Sequence, residues 1–201
     1  MNGLCALAAC GANNLLSFHH APAPGSTLPR GFTLIELLVT MAIAVVLVTL
    51  AVPAFTNFVL DARLTAAVNR FIHGMHVARH EALLAEAEVV VCRSADGRQC
   101  RNSGSWTDGL LVFVNNDRDY PPKVDTGERI LQVEPALPMT SIQANRSAFV
   151  FRPWGMRSVN GTLTFCDRRG FPAARAVIVS YTGRPRATSA ATANGAMSCP
   201  T

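Results

Sequence analysis

The sequence predicts an α+β protein: one long N-terminal helix, transmembrane in its first half and amphipathic in its second, packed on a small antiparallel β-sheet or sandwich head. Three observations predict it. Phe32 to Val52 is a 21-residue apolar run with a single charge, Glu36. Apolar residues then recur at three- and four-residue steps as far as Ala82. Beyond Glu88 the helical period gives way to short β-branched runs separated by turn residues.

Residues 1–30 carry no acid and a single base, Arg30. Pro22, Pro24, Gly25, Ser26 and Pro29 exclude a stable helix there. Leu7-Ala8-Ala9-Cys10 has the form of a lipoprotein cleavage box, but no positive region and no apolar run precede it.

An apolar run of about 20 residues, when helical, matches the ~30 Å hydrocarbon core of a bilayer. A carboxylate in lipid costs several kcal/mol, so Glu36 reads as functional. The positive-inside rule places Arg30 in the cytoplasm and the C-terminal domain outside. The stretch Arg30-Gly31-Phe32-Thr33-Leu34-Ile35-Glu36 closely resembles the processing site of type IV prepilins and pseudopilins. The resemblance implies a leader of residues 1–31, removed by prepilin peptidase between Gly31 and Phe32, with methylation of the new N-terminus. It implies a single-pass subunit of the bacterial inner membrane with its head in the periplasm, assembling with other pilin or pseudopilin subunits into a pilus or pseudopilus. It also implies that Glu36 pairs with the α-amino group of Phe32 in a neighbouring subunit and sets filament register. Such a pair attracts strongly in low dielectric only when the charges meet.

Cleavage after Gly31 leaves 170 of 201 residues. About 55 belong to the helix, leaving a head of roughly 115, enough for one small core and no second domain. The expected divisions are a membrane and filament-core helix over 32–54, an amphipathic helix over 55–87 and a β-rich head over 88–201. Pro53 marks the far membrane face, where it removes one helical hydrogen bond. Leu64, Val68, Phe71, Ile72, Met75, Ala78 and Ala82 form the stripe that packs on the head's sheet. His73, His76 and His80 share one helix face but have no further positioned ligand, so they read as solvated and no metal is expected there.

In the head, strands are expected at Val89–Cys92, Leu110–Val114, Ile130–Val133, Phe149–Phe151, Thr162–Cys166 and Ala176–Tyr181. Asn115, Asn116, Asp117, Asp119 and Asp125 make an oxygen-rich loop of a kind calcium favours. Its spacing is not that of an EF-hand, and Arg118 and Lys123 sit inside it, so a polar hairpin turn is the expectation. Outside the leader there are four cysteines, an even number in a domain expected outside the cytoplasm, which predicts disulfides. Three pairings exist; Cys92–Cys100 with Cys166–Cys199 is favoured, the first closing a short loop and the second pinning the tail. Zinc is disfavoured by the lack of a CxxC spacing and of any histidine beyond His80.

Several head patterns resemble the FimT/GspH family of minor pseudopilins, nearest its FimT branch. They are Ala78-Arg79 with Glu81-Ala82, Cys92…Asp96-Gly97…Cys100, Trp106…Gly109…Val112-Phe113-Val114, Asn115-Asn116-Asp117, Gly127-Glu128, Phe151…Pro153…Gly155 and Leu163…Phe165-Cys166-Asp167. The resemblance covers residues 31 to 199. The long leader departs from the family pattern, a matter of the translation start.

Charge is distributed unevenly. The chain carries +5 overall, yet from Arg146 onward eight arginines face one acid, Asp167, a +7 segment. Such asymmetry points to an anionic partner. Within the segment lies Thr182-Gly183-Arg184-Pro185-Arg186. Gly183 permits a tight turn, and Pro185 biases Arg184 to extended geometry. Residues two apart in an extended segment point the same way, so Arg184 and Arg186 present two guanidiniums together. Each can grip a phosphate oxygen pair, which reads the backbone and not the bases. Gly-Arg-x-Arg is similar to the DNA-binding motif of FimT proteins active in natural transformation; the carry-over is confined to Gly183, Arg184 and Arg186. Arg168, Arg169 and Arg175 widen the patch only if the fold brings them near.

The function implied is therefore a FimT-like minor type IV pilin that is incorporated in or primes a pilus and binds DNA without sequence preference for uptake. The alternative is a GspH-like minor pseudopilin of a type II secretion system with a structural role only. No GxSxG, HExxH or P-loop occurs after Gly31, so no enzyme is expected, and no cofactor.

Overall fold

A computed structural model describes residues 31–137, 139 and 141–200; the leader residues 1–30 lie outside the described residues. The elements are α1 (Leu34–Leu84), β1 (Glu88–Arg93), β2 (Leu110–Asn115), β3 (Ile130–Glu134), β4 (Ser141–Ala144), β5 (Ala148–Phe151), β6 (Gly161–Cys166), β7 (Arg175–Val179) and β8 (Pro185–Ser189). The chain divides into two compact units, Met1–Leu47 and Val48–Thr201.

In the first unit, α1 starts with a side-chain cap. The Thr33 hydroxyl accepts from the Glu36 amide at 3.3 Å, and the Thr33 carbonyl accepts from the Leu37 amide at 3.1 Å. Thr33 and Glu36 thus stand at the spacing of a capping box. Every residue from Gly31 to Leu47 is exposed, a mostly apolar surface suited to lipid or to neighbouring subunits.

In the second unit, α1 buries Leu64, Ala67, Val68, Phe71, Gly74, Met75, Ala78 and Ala82. Ile72 of the expected stripe is half-buried. The buried stripe meets the inner faces of two four-stranded antiparallel sheets, ordered β3-β2-β1-β5 and β4-β6-β7-β8. Val89, Val91, Val112, Phe149 and Phe151 come from the first sheet; Leu163, Phe165, Val177 and Val179 come from the second. Phe71 stands edge-on to Phe165 at 5.1 Å and 6.1 Å from Trp106, joining helix and sheets in one core. Gly74 allows the close approach: a Cβ there would lie 3.0 Å from Leu110 Cδ2. Alternation sends Val90, Cys92, Leu111 and Phe113 to a second cluster on the other face of the first sheet.

The structure departs from the expected elements in three places. The helix ends at Leu84 rather than 87, since Glu86 adopts a φ of 51°, which a helix cannot continue. Two strands escape the pattern of β-branched runs: β4 is only four residues long, and β8 is Pro-Arg-Ala-Thr-Ser, a largely exposed edge strand whose pairing to β7 alone requires no apolar face. The expected strand over Ala176–Tyr181 stops at Val179 because Tyr181 and Thr182 form a turn.

Candidate nucleic-acid interface

The β7–β8 hairpin is built around Gly183. The Gly183 amide donates to the Ser180 carbonyl at 2.9 Å, and the Ser180 amide donates to the Arg184 carbonyl at 3.2 Å. This leaves Tyr181-Thr182-Gly183 as a three-residue loop, with Gly183 at φ 70° in the left-handed position that such loops require. A Cβ on Gly183 would stand 3.1 Å from Phe151 Cδ1 and from Ser158 Oγ. Two longer-range bonds hold the tip: Arg79 of α1 donates to the Thr182 carbonyl, and the Ser158 amide donates to the Tyr181 carbonyl at 2.9 Å.

Arg186 stands opposite Ile178 on β7, and Pro185 stands opposite Val179. Val179 faces the core, so alternation turns Arg184 and Arg186 to the outward face of the sheet. Both are exposed. Among the described residues neither pairs with a carboxylate. Pro185 costs no ladder bond beyond β7, because β8 is the edge strand.

The three further arginines are not grouped with this pair. Arg175 stands opposite Ser189 on β7, three residues from Ile178, so it belongs to the other face of the sheet. Arg169 is held by Asp167 at 2.7 Å and by Asp61 of α1 at 2.8 Å. Hydrogen bonds to Asp167 and to Asp61 push its guanidinium further up, so it is committed to these carboxylates. Burial pushes the Asp167 carboxyl up, but the side-chain and backbone hydrogen bonds from Arg169 outweigh it and hold the carboxyl below its ordinary value. Arg168 is exposed and lines a groove with Phe55, Val59 and Arg63. The patch is therefore narrower than the charge count of the segment implies, because ion pairing and strand parity are properties of the fold and not of composition.

The remaining candidate residues are placed as follows. Gly31, Phe32 and Glu36 are exposed around the start of α1. Cys92 is bonded to Cys100, and Cys166 to Cys199. His73, His76 and His80 are exposed on α1. The carboxylates of Asp117, Asp119 and Asp125 lie within 4.8 Å of one another in the β2–β3 loop, where Asp117 accepts from the Asp119 amide and Asp119 from the Lys123 amide.

Composition did not single out the surroundings of the hairpin. Arg157 places its guanidinium carbon 5.0 Å from the centre of the Tyr181 ring. Arg79, far away in sequence, anchors the loop. The available signal was Tyr181 immediately before Thr182-Gly183, an aromatic beside a basic motif.

Residues 67–183 match the family model of type II transport protein GspH, and residues 29–52 match the prokaryotic N-terminal methylation motif. Among solved structures the chain is similar to the Pseudomonas aeruginosa (strain PAO1) type IV minor pilin FimU in two crystal forms. In space group P21 the TM-score is 0.50 at 16% identity, covering 71% of this chain and 99% of that chain. In space group P65 the TM-score is 0.49 at 15% identity, covering 68% and 100%. The first likeness shows a shared fold: a long N-terminal helix packed on antiparallel sheets. No curated protein matches the chain. With more than half of its residues inside the family model, and the methylation motif at the head of its apolar helix, the chain belongs to the GspH family of type IV pilin-like minor pseudopilins.

Proposed function

We propose that this minor pilin binds the phosphate backbone of DNA through Arg184 and Arg186, as a FimT-like subunit serving DNA uptake. The observation that carries the reading is that Arg184, just before the edge strand β8, and Arg186, within it, are exposed on one face and, among the described residues, unpaired with any carboxylate, presented by a hairpin that Gly183 shapes. Contacts of this kind are indifferent to sequence and strongly dependent on salt.

The rest of the chain serves presentation. Prepilin peptidase cuts between Gly31 and Phe32, residues 32–54 hold the subunit in the inner membrane and then in the filament core, and the head from 88 onward lies in the periplasm. Glu36, alone in its apolar surroundings, meets the α-amino group of a neighbouring Phe32 and sets register during assembly.

The test uses full chain in detergent micelles and unrelated duplex sequences. Arg184→Ala with Arg186→Ala should weaken all of them alike and flatten the salt dependence by about one unit of slope per lost phosphate contact. Equal affinity and slope for variant and parent would sink the reading. A second reading, a purely structural pseudopilin of a type II secretion system, is favoured by the family description itself, type II transport protein GspH. It predicts no DNA binding by either protein, and secretion genes rather than pilus-assembly genes beside this one.

A further inference from the structure

The two tyrosines of the head share one cleft with three of its arginines. Tyr120 is 85% exposed and Tyr181 is 53% exposed. Both line one open cleft of about 440 Å³ beside the β5–β6 loop, together with Arg146, Arg152 and Arg157. No acid lines it. Arg152 is neutralised by Glu88 at 2.9 Å, so Arg146 and Arg157 supply the net charge of the cleft. Among the described residues neither of these has a carboxylate partner. Arg146 is oriented by a 3.0 Å bond to the Asn160 carbonyl, and Arg157 lies over the Tyr181 ring. The β5–β6 loop is in turn tied to the hairpin by the bond from Ser158 to Tyr181.

Two exposed aromatic rings, Tyr120 largely open to water and Tyr181 with the Arg157 guanidinium 5.0 Å from its centre, in a cleft that no acid lines, suit a polyanion that carries its own π faces. Single-stranded nucleic acid is such a molecule: its bases stack on aromatic rings and its phosphates meet guanidiniums. In a duplex the bases are already stacked on one another and expose only their edges to the grooves, out of reach of a ring face. We propose that this cleft binds single-stranded DNA, with bases stacked on Tyr120 and Tyr181 and the flanking phosphates on Arg146 and Arg157. The proposal rests on and deepens the reading of the hairpin as a DNA contact, since Tyr181 stands three residues before Arg184 and belongs to both surfaces. The hairpin holds backbone of either form; the cleft selects strands whose bases are free.

The test is fluorescence anisotropy with full chain in detergent micelles. The probes are a labelled oligothymidylate of about 16 nucleotides, at the upper end of the site sizes such grooves cover, and a duplex of equal length. Tyr120→Ala with Tyr181→Ala should weaken the oligothymidylate at least about thirtyfold, the loss expected for two stacked bases, and leave the duplex nearly unchanged. Tyr120→Phe with Tyr181→Phe should bind as the parent does, because it keeps both ring faces; it also controls for folding. If the alanine pair binds oligothymidylate as the parent does while Arg184→Ala with Arg186→Ala loses both probes, the cleft is not a site and the hairpin reading stands. If the alanine pair loses oligothymidylate and the arginine pair loses neither probe, the cleft stands and the hairpin reading falls. Loss by the phenylalanine pair as well would overturn stacking, and a parent that binds neither probe would overturn both readings.

Discussion

Arg79 on the helix donates a hydrogen bond to the main-chain carbonyl of Thr182, 103 residues further on, at the tip of the β7–β8 hairpin. A charged donor on a carbonyl contributes roughly 1.5–3 kcal/mol when the acceptor is removed from water, and less at a surface such as this. Arg79→Ala should therefore cost about 1 kcal/mol of global stability, but it should act chiefly on the loop. Amide hydrogen exchange at Thr182, Gly183 and Arg184 should accelerate while β6 and β7 keep their protection. Unchanged exchange in the hairpin would show that the loop holds its shape without the helix.

Gly183 combines a left-handed φ with close neighbours, and the two constraints add. A side chain in this conformation costs about 1–2 kcal/mol by itself, and the added methyl would press on Phe151 and Ser158 at 3.1 Å. Gly183→Ala should lower the thermal midpoint, and it should weaken DNA binding although no charge is lost. Gly183→Asn should recover part of the stability, because asparagine tolerates the left-handed region. The pair separates a role in shaping the hairpin from a role in touching the ligand.

What could be read from the sequence followed from periodicity, and what could not followed from pairing. The stripe from Leu64 to Ala82 is visible because a helix repeats its buried face every three or four residues. β1 and β2 are visible because strands buried on both sides carry near-continuous apolar runs, and β6 because Thr162 and Thr164 alternate with Leu163 and Phe165 at the strand's period of two. β8 is invisible to that logic, since a largely exposed edge strand needs only the free edge of β7. The pairing of Arg184 with Arg186 could be inferred from the two-residue repeat of extended chain. The removal of Arg169 from the same patch was only half legible: Asp167 stands two residues away in sequence, but the second partner, Asp61, lies 108 residues earlier.

Arg169 offers a prediction of its own. Asp167 is buried, and Arg169 supplies both its side-chain bonds and a backbone bond. Arg169→Ala leaves that carboxylate without its cation and should cost about 2–3 kcal/mol at neutral pH. The folded-state pKa of Asp167 is depressed in the parent, so the stability it contributes is present above the ordinary carboxylate range and lost as pH falls through the depressed value. The gap between parent and variant should thus be full at neutral pH and close in acid, where Asp167 is protonated in both. Denaturant midpoints across pH check the direction. Salt-dependent DNA affinity should stay as in the parent, since Arg169 is already committed.

Asp96 inside the Cys92–Cys100 loop gives a second acid-sensitive element. The amides of Arg98 and Gln99 and the hydroxyl of Ser94 all donate to its carboxylate, which lowers its pKa from the ordinary 3.8 to about 2. The stabilisation is therefore complete above about pH 4 and disappears as pH falls towards 2. Asp96→Asn removes the titration, so the variant's stability should change less than the parent's over that interval. Parallel curves would mean that the loop keeps its shape without the charge.

The two disulfides should differ in value. Cys166–Cys199 closes a span of 33 residues and Cys92–Cys100 a span of 8. Loop-closure entropy in the unfolded chain assigns about 3.7 kcal/mol to the longer and about 2.5 kcal/mol to the shorter. Cys92 and Cys166 are both fully buried, so alanine leaves a similar void at each, and the difference should survive substitution. Cys166→Ala with Cys199→Ala should be the less stable pair in denaturant, by about 1 kcal/mol. It should also release the chain after β8, read as faster exchange in Ala193 and Ala196, which pack with Cys199 against Cys166. The reverse order of stability would place the main contribution of the short bridge in the folded state, where it holds the Asp96 loop.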